Sequence, residues 1–240
     1  MEKTQAIILH SLKVGDNQII VDLFTKSRGR LSFGVHLSKS AKGSMKRQFF
    51  QPFMLLGIEF DFRGNVHLQK LRNVWVDTPL LDIPYSPAKL SICFFLSEFL
   101  VYSTRYEQEN ASLFTYIYNS IIWFDETRRP FSNFHIVFML RFAFFVGLAP
   151  NLTIEQDSMV FDLLDGCFVP HVPLHSHYLL TDDSLKLISL FRLSYQTMHL
   201  YPMTRAERNR CVEVILLYYQ LHIPGFPEMK SLSVLKELFD

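Results

Sequence analysis

Through the first 80 residues, short apolar runs rich in β-branched residues alternate with polar turn signals. Thr4–Leu12 and Asn17–Thr25 are rich in Ile, Val and Leu, with the turn signal Val14-Gly15-Asp16-Asn17 between them. Leu31–His36 follows Arg28-Gly29-Arg30. Phe53–Phe62 and Val66–Val76 then predict a hairpin around Arg63-Gly64-Asn65. Five strands with one long polar loop between the third and fourth suit a small closed barrel of the OB type, although a short sandwich has the same strand count.

Beyond Pro79 the period changes. Pro79, Pro84 and Pro87 mark a boundary, and Ser86-Pro87 is a good N-cap and first-turn pair. Helices are expected at Pro87–Thr104, Ala111–Phe124 and Asn133–Gly147, the last stopped by Gly147 and Pro150. Thr181-Asp182-Asp183 opens a helix to about Tyr195, and the capping box Thr204-Arg205-Ala206-Glu207 opens another to about His222. A last short helix is expected at Ser231–Phe239. Between Ala149 and Leu180 the pattern is irregular, with a small hairpin turning at Leu164–Gly166. The expected fold is α+β and multi-domain: an OB-fold barrel over residues 1–80, then an all-α domain over 81–240 with an irregular insert around 150–180.

Composition sharpens this picture. A hydrophobic content of 49% and a charged content of 20% exclude a disordered chain. The net charge of +1 hides an asymmetry: residues 1–80 hold 12 Lys/Arg against 6 Asp/Glu, and residues 81–240 hold 12 against 17. The basic half is expected to face a polyanion. Three widely spaced cysteines imply no disulfide framework, and the N-terminus reads as strand rather than signal peptide, so a cytoplasmic protein is expected. The most apolar run, Phe134–Leu148, is too short to span a membrane and reads as a core helix.

The candidate chemistry is cationic. No acidic residue lies between Asp22 and Glu59, whereas Lys26, Arg28, Arg30, Lys39, Lys42, Lys46 and Arg47 fall on Ser/Gly-bearing turns beside strands. Such cations release condensed counterions from phosphates and bind nucleic acid without reading sequence. If all seven touched single-stranded DNA, the log–log salt slope would approach about −5. Phe33, Phe49, Phe50, Phe60 and Phe62 are candidates for base stacking; strand alternation makes most of them barrel core, and Phe49 and Phe50, next to Lys46-Arg47, are preferred. Cys167, His171, His175 and His177 match no standard zinc spacing, so no metal is expected. No nucleophile motif, paired-carboxylate motif or phosphate-cradling loop is present, so neither enzyme activity nor a cofactor is expected.

The chain resembles the RecO family of bacterial recombination mediators. The resemblance runs through Ala6-Ile7-Ile8-Leu9, Gly15-Asp16-Asn17, Leu23-Phe24-Thr25, Gly29-Arg30-Leu31, the Lys/Ser-rich loop, Leu55-Leu56, Phe138–Leu140, Gly147-Leu148-Ala149-Pro150 and Lys230-Ser231-Leu232-Ser233-Val234-Leu235. It implies an OB fold, a helical domain and no catalytic centre. It also implies binding to single- and double-stranded DNA, strand annealing, and recombinase loading with RecR and the single-stranded-DNA-binding protein. The helical domain would then hold a pocket for that protein's acidic, Phe-ending tail, for which Arg141 is one candidate and a core arginine the competing explanation. Many family members carry four zinc-binding cysteines after the Gly-Leu-Ala-Pro motif. Here the first pair would fall near Glu155 and Ser158, and Cys167 is the single cysteine of the segment. The hairpin would then be held by packing of Phe161, Phe168 and Val169. Two rival readings remain open: an RNA-binding OB protein in translation or RNA processing, and a helical interaction scaffold.

Overall fold

Five strands close into a barrel because each presents an apolar residue inward at every second position. They are β1 (Glu2–Lys13), β2 (Gln18–Thr25), β3 (Gly29–His36), β4 (Leu55–Phe60) and β5 (Leu68–Thr78). The computed structural model describes residues 1–38, 45, 47–153 and 160–237. Around the barrel the order is β1-β2-β3-β5-β4, antiparallel except for the parallel β3–β5 pair, and β4 closes back onto β1. This is the connectivity of an OB fold, as the strand pattern led one to expect. Ala6, Ile8, Val21, Phe33, Ile58 and Phe60 belong to its buried core. Phe33 and Phe60 meet edge to face at 5.2 Å.

Six α-helices follow among the described residues: α1 (Pro87–Ser103), α2 (Ala111–Glu126), α3 (Phe134–Phe145), α4 (Thr181–Phe191), α5 (Arg205–His222) and α6 (Leu232–Lys236). Ser86 caps α1 by accepting from the Lys89 amide, Asn110 caps α2, and Thr204 and Glu207 form the expected capping box of α5. A three-stranded sheet of order β7-β6-β8 fills the irregular segment: β6 (Val160–Asp162), β7 (Cys167–Val169) and β8 (Tyr178–Leu179). No helix among the described residues is long and apolar enough to cross a membrane.

The chain divides into two compact units, Met1–Thr127 with Met229–Leu238, and Arg128–Glu228. In the first, α1 covers the outside of β1: the Ser97 hydroxyl donates to the Leu9 carbonyl, which explains why Ala6–Leu9 are buried on both strand faces. The returning segment joins the same unit, where the Lys230 and Ser231 amides donate to the Glu98 carboxylate at 3.0 and 2.8 Å. In the second unit, Phe134, Phe138 and Phe142 form a ladder along α3, and Tyr219 of α5 donates to the Met139 carbonyl at 2.7 Å.

Two boundaries depart from the sequence pattern. Helix α4 stops at Phe191 rather than near Tyr195, because Ser194 and Thr197 close a side-chain turn (Ser194 N–H to Thr197 Oγ1, 2.9 Å) that competes with the helix. Strands β4 and β5 are joined by a longer excursion than a three-residue turn, with pairing resuming only at Phe60↔Leu71.

Candidate nucleic-acid interface

The β2–β3 turn is fixed by Thr25, whose hydroxyl accepts from the Arg28 amide at 3.2 Å and donates to the Gly29 carbonyl at 2.8 Å. Gly29 is required there. Its φ is +64°, and a Cβ would lie 2.2 Å from the Gln108 carbonyl oxygen. The turn and the loop after α1 therefore meet backbone to backbone.

Acids from outside the acid-free stretch compensate two of its cations. Arg28 pairs with Glu2 at 3.2 Å and lays its guanidinium over the Phe62 ring at 4.4 Å. Arg30, only 19% exposed, pairs with Asp22 at 2.9 Å and donates to the Val101 carbonyl. It is a clamp between barrel and α1 rather than a free phosphate contact. Lys26 is exposed and reaches the Gln5 side-chain oxygen at 3.3 Å, and Arg47 is exposed at the start of a 3₁₀ turn, Arg47–Phe50. Lys39, Lys42 and Lys46 lie outside the described residues. Of the two stacking candidates, Phe49 is partly buried against the barrel core and Phe50 is 2% exposed inside it. Phe50 is thus a core residue, unable to meet a base without opening the barrel.

The β4–β5 loop carries what the sequence reading passed over. Gln69, 4% exposed, receives the Arg63 amide on its side-chain oxygen at 3.0 Å and donates to the Arg63 and Val66 carbonyls at 2.9 and 2.6 Å. The buried amide thereby holds the loop in one shape while Phe62, Arg63 and His67 stay exposed. With Arg30 and Ser32 of β3 and Arg105 after α1, they line an open cleft of about 350 Å³. Phe62 is 40% exposed. Strand alternation places Phe62 in the core only if β4 runs on to residue 62; the strand ends two residues earlier, at Phe60.

In the second unit, the Arg141 guanidinium donates to the Leu193 carbonyl at 2.9 Å, so it is tied to its own fold. Among the described residues no group of three metal-ligating side chains converges. His175 instead faces Asp162 at 3.1 Å, and burial and then Asp165 and Asp162 push the Cys167 thiol up. Glu155 and Ser158 lie outside the described residues. Phe161 and Phe168 pack edge to face at 5.2 Å across β6 and β7. Between α4 and α5 an apolar groove of about 290 Å³ is lined by Leu187, Leu190, Met203 and Val214. Its rim holds Lys186–Glu207 and Arg210–Asp183 pairs at 3.6 and 3.5 Å.

A closed five-stranded OB barrel with cationic turns, followed in the chain by helices, defines the class of this protein. The chain belongs to the RecO family: residues 1–79 match the family profile "Recombination protein O N terminal" and residues 84–232 match "Recombination protein O C terminal". It is 44% identical over 239 residues to the DNA repair protein RecO of Phocaeicola vulgatus, covering 100% of this chain and 99% of that one. It is 44% identical over 241 residues to the protein of the same name from Bacteroides fragilis, with 100% of both covered. The Flavobacterium psychrophilum protein so named is 30% identical over 239 residues, with 99% and 98% covered.

Proposed function

We propose that this protein is a sequence-independent DNA-binding mediator of recombinational DNA repair. It anneals complementary strands and helps to load recombinase onto single-stranded DNA, with RecR and the single-stranded-DNA-binding protein as partners and no chemistry of its own. The observation that carries this reading is an OB barrel bearing exposed turn cations in a chain alike, over its full length, to proteins named for DNA repair. Lys26 and Arg47, with Lys39, Lys42 and Lys46, neutralise backbones so that two strands can approach. The relatives' names favour DNA over RNA as the polyanion.

The groove between α4 and α5 supports the partner half of the reading. An acidic peptide ending in phenylalanine would place its ring among Leu187, Leu190 and Val214, and its carboxylates would displace Glu207 and Asp183 from Lys186 and Arg210. Arg210→Glu should weaken such a labelled peptide at least tenfold.

Fluorescence anisotropy of a labelled single-stranded oligonucleotide across a salt series tests the DNA half. Neutralising Lys39, Lys42, Lys46 and Arg47 together should weaken binding and flatten the log–log slope by up to about 3, at about 0.7 per lost contact. Binding that ignores those changes would move the site off the long loop, and preference for RNA in competition would favour a role in RNA metabolism.

A further inference from the structure

We propose that the cleft under the β4–β5 loop is a single-strand-selective subsite, in which Phe62 stacks on an unpaired base while Arg63 and Arg105 hold the flanking phosphates. The inference rests on the nucleic-acid reading above and adds where strandedness is sensed.

Three observations converge. First, the charge is free to be used. Arg63 and Arg105 are exposed, and no carboxylate pairs with either among the described residues. Asp61 is engaged with Arg72 at 2.8 Å and the N-terminal amine at 3.4 Å, and Asp22 with Arg30 at 2.9 Å; Glu107 and Glu109 follow Arg105 in the chain, and Glu107 accepts from the Asn110 side chain at 3.4 Å. The lining itself holds no acid. Second, an aromatic ring stands where a base would lie. Phe62 is exposed despite its size; the Arg28 guanidinium covers one face of the ring at 4.4 Å, so a base would stack on the opposite face. Third, the cleft is built before any ligand arrives. Gln69 ties both sides of the loop, and the contact at Gly29 together with the Arg30–Val101 hydrogen bond sets the Arg105 loop against the barrel. At about 350 Å³ it is at the small end of ligand clefts, which span roughly 300–1,000 Å³. Bases in a duplex already have their faces covered, so a stacking ring selects single strands, whereas cations alone do not.

The test uses the full chain and three probes of equal length: single-stranded oligothymidylate, a duplex, and an abasic single strand. Phe62→Ala should weaken oligothymidylate by about 5- to 150-fold at an unchanged salt slope, and leave the duplex and abasic probes unaffected. Phe62→Trp should restore affinity, which separates stacking from any loss of fold. Arg63→Ala and Arg105→Ala should each lower the slope by about 0.7. A wild type that binds well with all three alanine variants unaltered would overturn the cleft and leave the DNA reading intact. Equal weakening of duplex by Phe62→Ala would overturn its single-strand role. A wild type that binds none of the probes would overturn both.

Discussion

Replacing Lys89 by alanine is expected to destabilise the protein by about 3 kcal/mol, the low end for removing one member of a buried charged pair, because its partner Asp82 keeps 29% of its side chain exposed. Lys89 is 1% exposed. Its ammonium meets the Asp82 carboxylate at 2.8 Å and the Asp125 and Thr127 carbonyls at 3.0 and 3.1 Å. It also lies 5.4 Å from the Phe124 ring centre. The two carbonyls are at the C-terminal end of α2, where the helix dipole favours a cation. The Asp125 side chain completes the joint by accepting from the Leu81, Asp82 and Ile83 amides at 2.7, 2.9 and 2.7 Å. Lys89 therefore fastens the start of α1 to the end of α2, in the compact unit that also holds the barrel. Lys89→Met keeps the apolar stem but leaves the carbonyls unpaired, and should still lose about 1–3 kcal/mol. Urea denaturation measures both variants. A Met variant as stable as wild type would mean that the ammonium makes no net contribution.

Acid is expected to weaken the fold through His135. The ring is fully buried on α3, and burial, with the Arg208 cation adding to it, depresses its pKa from 6.5 to about 3. Well above pH 6.5 the imidazole is neutral in folded and unfolded chains alike and adds no pH dependence. Between 6.5 and 3 the unfolded chain takes up a proton that the folded chain refuses, so stability falls with falling pH. Below 3 the loss levels off. The slope is about 1.4 kcal/mol per pH unit, which accumulates to about 3 kcal/mol at pH 4. His135→Leu, which does not titrate, should lose correspondingly less between pH 7 and pH 4 in denaturant midpoint. Parallel losses in both proteins would assign the acid sensitivity to other groups.

The barrel and the helices were legible because they follow from periodicity, which is local. Every strand of the barrel lies within a few residues of its apolar run, and Ser86, Asn110 and Thr204 cap the helices that follow them. Strand β8 left little trace, since two residues carry no period. The site was harder to read for a different reason. The acid-free stretch drew attention to its seven cations, but charge compensation is a property of space rather than of sequence. Glu2 and Asp22 reach Arg28 and Arg30 from other strands. Arg105 stands alone between α1 and the acidic Glu107 and Glu109, so nothing local marks it; only the contact at Gly29 brings its loop to the barrel. The sequence favours Phe50 over Phe62 for stacking because apolar character cannot distinguish a ring turned into the barrel from one on a loop just past a strand end.

The rate at which the protein anneals complementary single strands, followed by fluorescence energy transfer between labelled oligonucleotides, tests the proposed function most directly. Annealing should be accelerated over the spontaneous rate, the acceleration should fade as salt rises, and it should be largely lost when Lys39, Lys42, Lys46 and Arg47 are neutralised together. Annealing at the spontaneous rate, or an acceleration that survives that substitution undiminished, would contradict a mediator that works through the cations of its barrel.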